Sequence, residues 1–118
     1  MREIKFRVWD NETNKFWHEG RNLSLVSLVA DNLVNDDSTV LEQYTGLKDK
    51  NGVEIYEGDI ICQQMRFVET NGVIFWQEDK ARFAVNLDGF ITTITKPQEH
   101  SYEVIGNIHE NPELLEDD

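Results

Sequence analysis

A chain of 118 residues suits one domain with a modest core, and a hydrophobic content of 39% favours a folded chain over a disordered one. Its 23 acidic residues against 11 lysines and arginines give a formal net charge of −12, which disfavours contact with a nucleic-acid backbone. A single cysteine, Cys62, excludes an internal disulfide, and no apolar run has the length of a signal peptide or a membrane span. We therefore expect a soluble, cytoplasmic protein that makes no membrane contact.

Residues 3–9 alternate between apolar and charged side chains, which predicts a half-buried strand. Its apolar face, expected to point to the core, consists of Ile4, Phe6 and Val8. The densest basic run of the chain lies in the same region and consists of Arg2, Lys5 and Arg7. A turn over residues 10–14 and a short returning strand over residues 16–18 are expected to follow.

The segment 23–33 suits either a helical face or a strand, and we lean towards a strand. An irregular acidic loop around residues 35–37 is expected next. Another strand is expected to begin at residues 40–44.

Three dipeptides with strong turn preference lie between strand-forming segments, and each predicts a hairpin: Asn51-Gly52, Asn71-Gly72 and Asp88-Gly89. At the third, a two-residue loop gives the cross-strand pairs Leu87–Phe90, Val85–Thr92 and Phe83–Ile94. This register predicts that one wall of the core consists of Phe83, Leu87, Phe90 and Ile94.

The other two hairpins differ in how well the sequence defines their register. At Asn71-Gly72, pairing Phe67 with Trp76 and pairing Phe67 with Phe75 both remain open.

At Asn51-Gly52, a two-residue loop would place Asp49 opposite Glu54, two like charges. A three-residue loop over residues 50–52 pairs Lys48 with Glu54 instead. The second arrangement predicts a positive φ at Gly52.

From residue 59 onwards the sequence predicts five short antiparallel strands, which suit a small barrel of the SH3-like type. Their expected bounds are 59–69, 73–78, 81–87, 90–95 and 102–108. The predicted fold is mainly β, a β-rich α+β arrangement with the SH3-like barrel in the later part and an N-terminal strand region. Within one compact domain, we expect an N-terminal β region, the barrel and an acidic C-terminal tail, over residues 1–44, 45–108 and 109–118.

Three stretches carry a family resemblance: "REIKFRVWD", "YTGLKDKNGVEIYEGDII" and "YEVIGNIHENPELL". Through them the chain resembles the YopX family of small phage and prophage proteins. The resemblance implies a β-rich fold with an SH3-like barrel in the later part. It implies no known activity and carries over no catalytic residue. The family motif has turn-forming residues at Gly46, Asn51, Gly52, Gly58 and Asp59, and we expect the Asp59 carboxylate to accept a backbone N–H and close a turn.

Metal and catalytic sites find little support in the sequence. Residues 10–14 resemble the start of a calcium loop, but Lys15 stands where that loop needs glycine. The three histidines are scattered without zinc-ligand spacing. Pairs such as His100 with Ser101 point to opposite faces of an extended chain, so they do not form a nucleophile and its base. We expect no metal, no cofactor and no catalytic residue.

Four aromatic residues could line a binding strip, as in SH3-like barrels, although a small domain commonly uses such residues in its core. They are Trp9, Trp17, Tyr56 and Trp76. The sequence therefore favours a non-enzymatic protein that binds a host or phage protein. The alternatives are a nucleic-acid-related role, as an acidic DNA mimic or as a binder through its basic N-terminal run, and an enzyme of unknown class. The oligomeric state is not predicted.

Overall fold

The structure, a computed structural model, describes residues 4–17, 38–65 and 68–115. The strands, in chain order, are β1 (Phe6–Asp10), β2 (Lys15–Phe16), β3 (Thr39–Lys48), β4 (Glu54–Tyr56), β5 (Asp59–Met65), β6 (Val68–Gln77), β7 (Arg82–Leu87), β8 (Phe90–Thr93) and β9 (Tyr102–Asn107). Short 3₁₀ helices cover Glu78–Lys80, Lys96–Ser101 and Pro112–Leu115. Over these three ranges, no helix has the length and apolar character that crossing a membrane requires.

The strands form two antiparallel sheets. The smaller sheet has the order β2-β1-β3-β4, and the larger has the order β8-β7-β6-β5-β9. Because Ile55 of β4 is packed in the same cluster as Ile61, Ile74 and Val85 of the larger sheet, the β3–β4 hairpin covers the inner face of that sheet. The prediction of a mainly β fold of the small-barrel type is confirmed.

The two hairpins with the clearest turn signals have the predicted register. In the first, Lys48 pairs with Glu54, and the N–H of Asp49 donates to the carbonyl of Val53 at 2.8 Å. That bond closes a three-residue loop over residues 50–52, in which Gly52 has a φ of +83°.

The Asp88-Gly89 hairpin pairs Leu87 with Phe90 and Val85 with Thr92, as predicted. The predicted core wall is wrong at one position, because Phe90 is 61% exposed. Phe90 faces the same side as the buried Leu87 but lies on the edge strand β8, beside the turn, where the core no longer covers it.

The prediction of a hairpin at Asn71-Gly72 is wrong. Both residues lie inside β6, where Gly72 pairs with Ile61 of β5, and the β5–β6 hairpin instead closes beyond the pair Met65–Val68. Residues 66 and 67, and with them the two registers based on Phe67, lie outside the described residues. The glycine reflects a close approach of β7, since a Cβ at position 72 would lie 2.6 Å from the Asn86 carbonyl oxygen.

The N-terminal strand begins at Phe6, and its predicted faces are right at Val8, which is buried, but wrong at Arg7 and Ile4. Arg7 is buried, whereas Ile4 is 63% exposed. Arg7 is buried because Glu42 and Asp59 supply charged partners for it in the folded chain. The strand predicted at residues 40–44 is part of β3. The predictions for residues 18–37 lie outside the described residues, and the division at residues 44 and 108 stays a prediction.

Candidate functional site

A buried ion network joins the two sheets around Arg7 of β1. The Nε atom of Arg7 lies 2.8 Å from Oε1 of Glu42 on β3, and Nη1 lies 2.8 Å from Oδ1 of Asp59 on β5. Nη2 donates to the backbone carbonyl of Glu57 at 3.0 Å. All three ion-pairing side chains are at least nine-tenths buried. Arg7 therefore bridges the smaller sheet and the first strand of the larger one.

Aromatic rings and a histidine enclose this network. The Nε2 atom of His109 lies 3.0 Å from Oε2 of Glu42, and the imidazole stacks on Trp9 with ring centroids 4.7 Å apart and planes 9° from parallel. The Arg7 guanidinium lies 4.6 Å from the ring centroid of Phe16 and 5.0 Å from that of Tyr56. The low polarity of these surroundings strengthens the ion pairs and raises the cost of an unpaired charge.

Burial changes the acidity of one carboxyl group in the network, that of Asp59, and of one beside it, that of Glu57. Desolvation raises the pKa of Asp59 to about 6, although the Arg7 charge and a hydrogen bond from the Tyr56 N–H, at 2.8 Å, act in the opposite direction. Desolvation also raises the pKa of Glu57, whose Oε1 accepts the Gln43 N–H at 2.8 Å.

Every carboxylate oxygen of Glu42 and Asp59 is engaged by a protein partner, which is Arg7, His109 or the backbone of Tyr56. The predicted turn closure by Asp59 is confirmed. A general acid or base needs an atom that can reach a substrate. The arrangement serves to lock the two sheets together.

Gly58 allows Glu42 to reach this network. Its φ is +82°, and a Cβ at this position would collide with the Glu42 carboxylate. The Gly58 N–H donates to the Ile74 carbonyl at 2.8 Å, and its carbonyl accepts the Ile108 N–H at 2.9 Å. The motif glycine is thus required both by its backbone conformation and by the space that Glu42 occupies.

A second polar link was missed by the sequence reading, and it starts from the buried Asp49. Its Oδ1 accepts the N–H groups of Asn51 and Val53 at 2.8 and 2.9 Å. Its Oδ2 accepts the N–H of Val104 on β9 at 2.9 Å, and the next residue, Lys50, donates its N–H to the Tyr102 carbonyl at 3.0 Å. The hairpin loop therefore covers the outer edge of β9. Asn51 of the family motif lies in this loop, and Gly46, with a φ of +91°, lies at the irregularity in β3.

The four candidate aromatic residues do not share one surface. Trp9 and Tyr56 are buried beside the Arg7 network. Trp17 donates its indole N–H to Oδ2 of Asp10 at 3.2 Å. Trp76 is 42% exposed and packs edge-on against Phe83, with centroids 5.0 Å apart. A binding role for these residues stays a prediction. Among the described residues, no group of three or more histidine, cysteine, aspartate or glutamate side chains is placed to hold a metal ion.

An open groove of about 620 Å³ lies between the outer face of the larger sheet and the helix Pro112–Leu115. We call it the acidic groove. The Asn71 amide donates to the Leu114 carbonyl at 3.2 Å and holds the helix above the sheet. The polar residues that line the groove on strands β5 to β7 and the following turn include Cys62, Glu69, Asn71, Asn86 and Asp88.

Cys62 is half-buried in the acidic groove, with its Sγ atom 3.9 Å from Oε2 of Glu69. Burial, followed by the charges of Glu69 and Glu103, raises the pKa of the thiol. A thiol with a raised pKa is mostly protonated at neutral pH and reacts slowly. Cys62 is therefore a slowly reacting thiol that lines the groove.

Comparisons with known proteins place these features in a family context. The sequence model of a family described as "YopX protein" matches residues 5–116. A crystal structure of protein EF1440 from Enterococcus faecalis is 29% identical, with a TM-score of 0.67, and covers 98% of this chain and 100% of its own. A crystal structure of protein yopX from Bacillus subtilis is 18% identical, with a TM-score of 0.62 and the same two coverages. The curated proteins give no match.

Proposed function

The chain belongs to the YopX family, and from the exposed edge of its larger sheet we propose that it is a non-enzymatic protein that works by binding another protein. The partner is a host or phage protein in the cytoplasm of a bacterium that carries the phage or prophage. The observation that carries this proposal is the edge strand β8, which exposes apolar side chains and backbone groups together.

Two apolar side chains of β8 are exposed. Phe90 is 61% exposed and Ile91 is 43% exposed, side by side on opposite faces of the strand. Exposed edge strands invite pairing with another chain, and most proteins protect them with charges, prolines or a covering loop. The four residues of β8, with the sequence FITT, contain neither a charged residue nor a proline.

The backbone of β8 also has one side with no paired strand among the described residues. Among the described strands, only β7 pairs with β8. The Ile94 N–H points to β7, since it donates to the Phe83 carbonyl at 3.5 Å. Backbone groups alternate in direction along an antiparallel strand, so those of Ile91 and Thr93 point away from β7. A partner strand would find both donors and acceptors there.

The other function classes find less support. The Arg7 network offers no free acid or base for catalysis, since protein partners engage every carboxylate oxygen of Glu42 and Asp59. DNA binding through the basic N-terminal run would require Lys5 and Arg7, whose side chains are otherwise occupied. Arg7 is buried, and Lys5 forms an ion pair with Glu54. The net charge of −12 adds a repulsive field against a phosphate backbone.

The test compares protein capture by three tagged forms of the chain in lysogenic cells. They are the wild type, the edge variant Phe90→Ser/Ile91→Ser, and the control variant Ile4→Ser/Val53→Ser. The control removes two apolar side chains that are 63% and 47% exposed and lie outside the larger sheet. We expect at least one protein to be recovered by the wild type and the control but reduced about tenfold with the edge variant.

Equal recovery of every protein by all three forms would contradict the proposal. A titration against labelled duplex and single-stranded DNA at physiological salt provides the second arm. Tight, salt-sensitive binding there would replace the proposal with a nucleic-acid function.

A further inference from the structure

We propose that the partner contributes an extended segment that pairs with β8 and inserts a lysine or arginine side chain into the acidic groove. This inference rests on the proposed function, because it takes the partner to be a protein. It adds the form and the charge of the segment that binds. It also assigns a binding role to the acidic groove, whose lining residues do not belong to the Arg7 network.

The backbone part of the argument is strand addition. In this binding mode, main-chain hydrogen bonds supply affinity, and pockets for alternate side chains supply specificity. The outward backbone groups of Ile91 and Thr93 supply the first requirement. The acidic groove supplies the second, because it opens on one face of the same sheet.

The strand register shows that the edge strand β8 and the acidic groove share one face of the sheet. Ile91 pairs with Asn86 of β7, and Asn86 pairs with Val73 of β6, so the three side chains share one face of the sheet. Asn86 and Val73 both line the acidic groove. A segment added beside β8 therefore presents every second side chain on the groove face. The backbone of a residue in the added segment would lie about two strand spacings, roughly 10 Å, from that of Asn86. Only a long side chain can therefore reach the groove.

The charge of the groove selects the type of long side chain. Glu69 and Asp88 line it, and none of its described lining residues is a lysine or arginine. An ammonium or guanidinium group would gain charge-assisted hydrogen bonds there, whereas a carboxylate would be repelled. A second copy of this chain would offer β8 itself, whose sequence FITT contains no basic residue. The occupant that fits both features is a basic segment of a different protein.

The experiment uses the intact chain and a fluorescein-labelled decapeptide of five Thr-Lys repeats, which places all its lysines on one face when extended. The groove variant is Glu69→Gln/Asp88→Asn. The matched control is Glu78→Gln/Asp79→Asn, which removes the same charge from exposed residues at the opposite end of β7. We expect the groove variant to bind the peptide about tenfold more weakly than the wild type and the control. Equal weakening in both variants would reveal diffuse attraction to an acidic protein and overturn the proposal.

Cys62 reports directly on occupancy, because it is the one cysteine of the chain and lines the groove. We expect saturating Thr-Lys peptide to slow the reaction of Cys62 with Ellman's reagent several-fold in the wild type and the control but not in the groove variant. An unchanged rate in the wild type would show that no side chain enters the groove. If that result accompanied an edge-dependent partner in the capture experiment, this inference would fail while the proposed function stood.

Discussion

The Nη1 atom of Arg7 lies 2.8 Å from the Oδ1 atom of Asp59, so that a side chain of the first strand and one of the fifth form a buried ion pair between the two sheets. Glu42 binds the same guanidinium from a third strand. One basic group thus compensates two buried carboxylates. The stability of the joint between the sheets should depend on Arg7 more than on any exposed charge.

Replacing Arg7 by methionine is expected to lower the free energy of unfolding by about 3–5 kcal/mol, because Glu42 and Asp59 would be left buried without their cation. Lys15→Met, at the exposed position of β2, is the control and should change stability by less than about 0.5 kcal/mol. Chemical denaturation at pH 7 provides both values. Equal stability of the two variants would mean that the network contributes nothing to holding the sheets together.

The pH dependence of stability provides a test of Asp59. In the unfolded chain its pKa is near the ordinary value of 3.8, whereas burial raises the folded pKa to about 6. The folded state therefore binds the proton more tightly. This contribution to stability is fully present below pH 3.8 and is lost as the pH rises through about 6. We expect the stability of the wild type minus that of Asp59→Asn to fall by about 2 kcal/mol between pH 4 and pH 7.

Asp10 provides a control of opposite sign for the same measurement. The hydrogen bond from the Trp17 indole, followed by that from the Glu12 N–H, lowers its pKa. Its contribution is present above pH 3.8 and is lost as the pH falls through the lowered value. The difference between the wild type and Asp10→Asn should therefore rise with pH in the acid range. Parallel wild-type and Asp59→Asn curves would contradict the Asp59 prediction.

Gly52 and Gly58 have nearly the same φ but different surroundings, so alanine substitutions at the two positions distinguish backbone strain from steric conflict. Gly52→Ala should lower stability by about 1 kcal/mol, because only the backbone conformation opposes the new Cβ, which would have no neighbour within 4 Å. Gly58→Ala should lower it by a few kcal/mol, because the Cβ would also displace Glu42 from the Arg7 network. Thermal unfolding of both variants is the measurement. Equal losses would show that Glu42 can move away freely.

The Asp88-Gly89 hairpin predicts a contrast between two phenylalanines. Phe83 is buried in the core cluster, so Phe83→Ala should cost roughly 3–5 kcal/mol through lost burial and the cavity left behind. Phe90→Ala, at an exposed position of the edge strand, should cost less than about 1 kcal/mol. Unfolding in urea would compare them at constant temperature. A large loss for Phe90→Ala would mean that β8 is covered by another part of the chain.

Local turn chemistry explains which parts of the fold were predictable. Gly52, Asp88 and Gly89 adopt the positive φ values that the two loops require, and charge or apolar pairing then selects the register. The same dipeptide pattern was misleading at Asn71-Gly72. There the glycine is required because β7, a strand distant in sequence, packs closely against it. The dipeptide alone does not reveal that contact.

The candidate sites depend almost entirely on such distant contacts. Alternation predicted a solvent-facing Arg7, but residues 42 and 59 supply carboxylates that only the folded topology brings together. The acidic groove likewise combines residues of three strands with a C-terminal helix. A clue was available in the family motif, since Gly58 and Asp59 both belong to it and both contact this network.

The covered edge of β9 limits how this protein can assemble. Asp49 and Lys50 occupy the outward backbone groups of Val104 and Tyr102, so a foreign strand cannot pair there without opening the hairpin loop. Of the two margins of the larger sheet, β8 is then the one at which a strand can be added. Copies of this chain therefore cannot extend this sheet from molecule to molecule into a filament. A complex formed at β8 should contain one partner segment per chain.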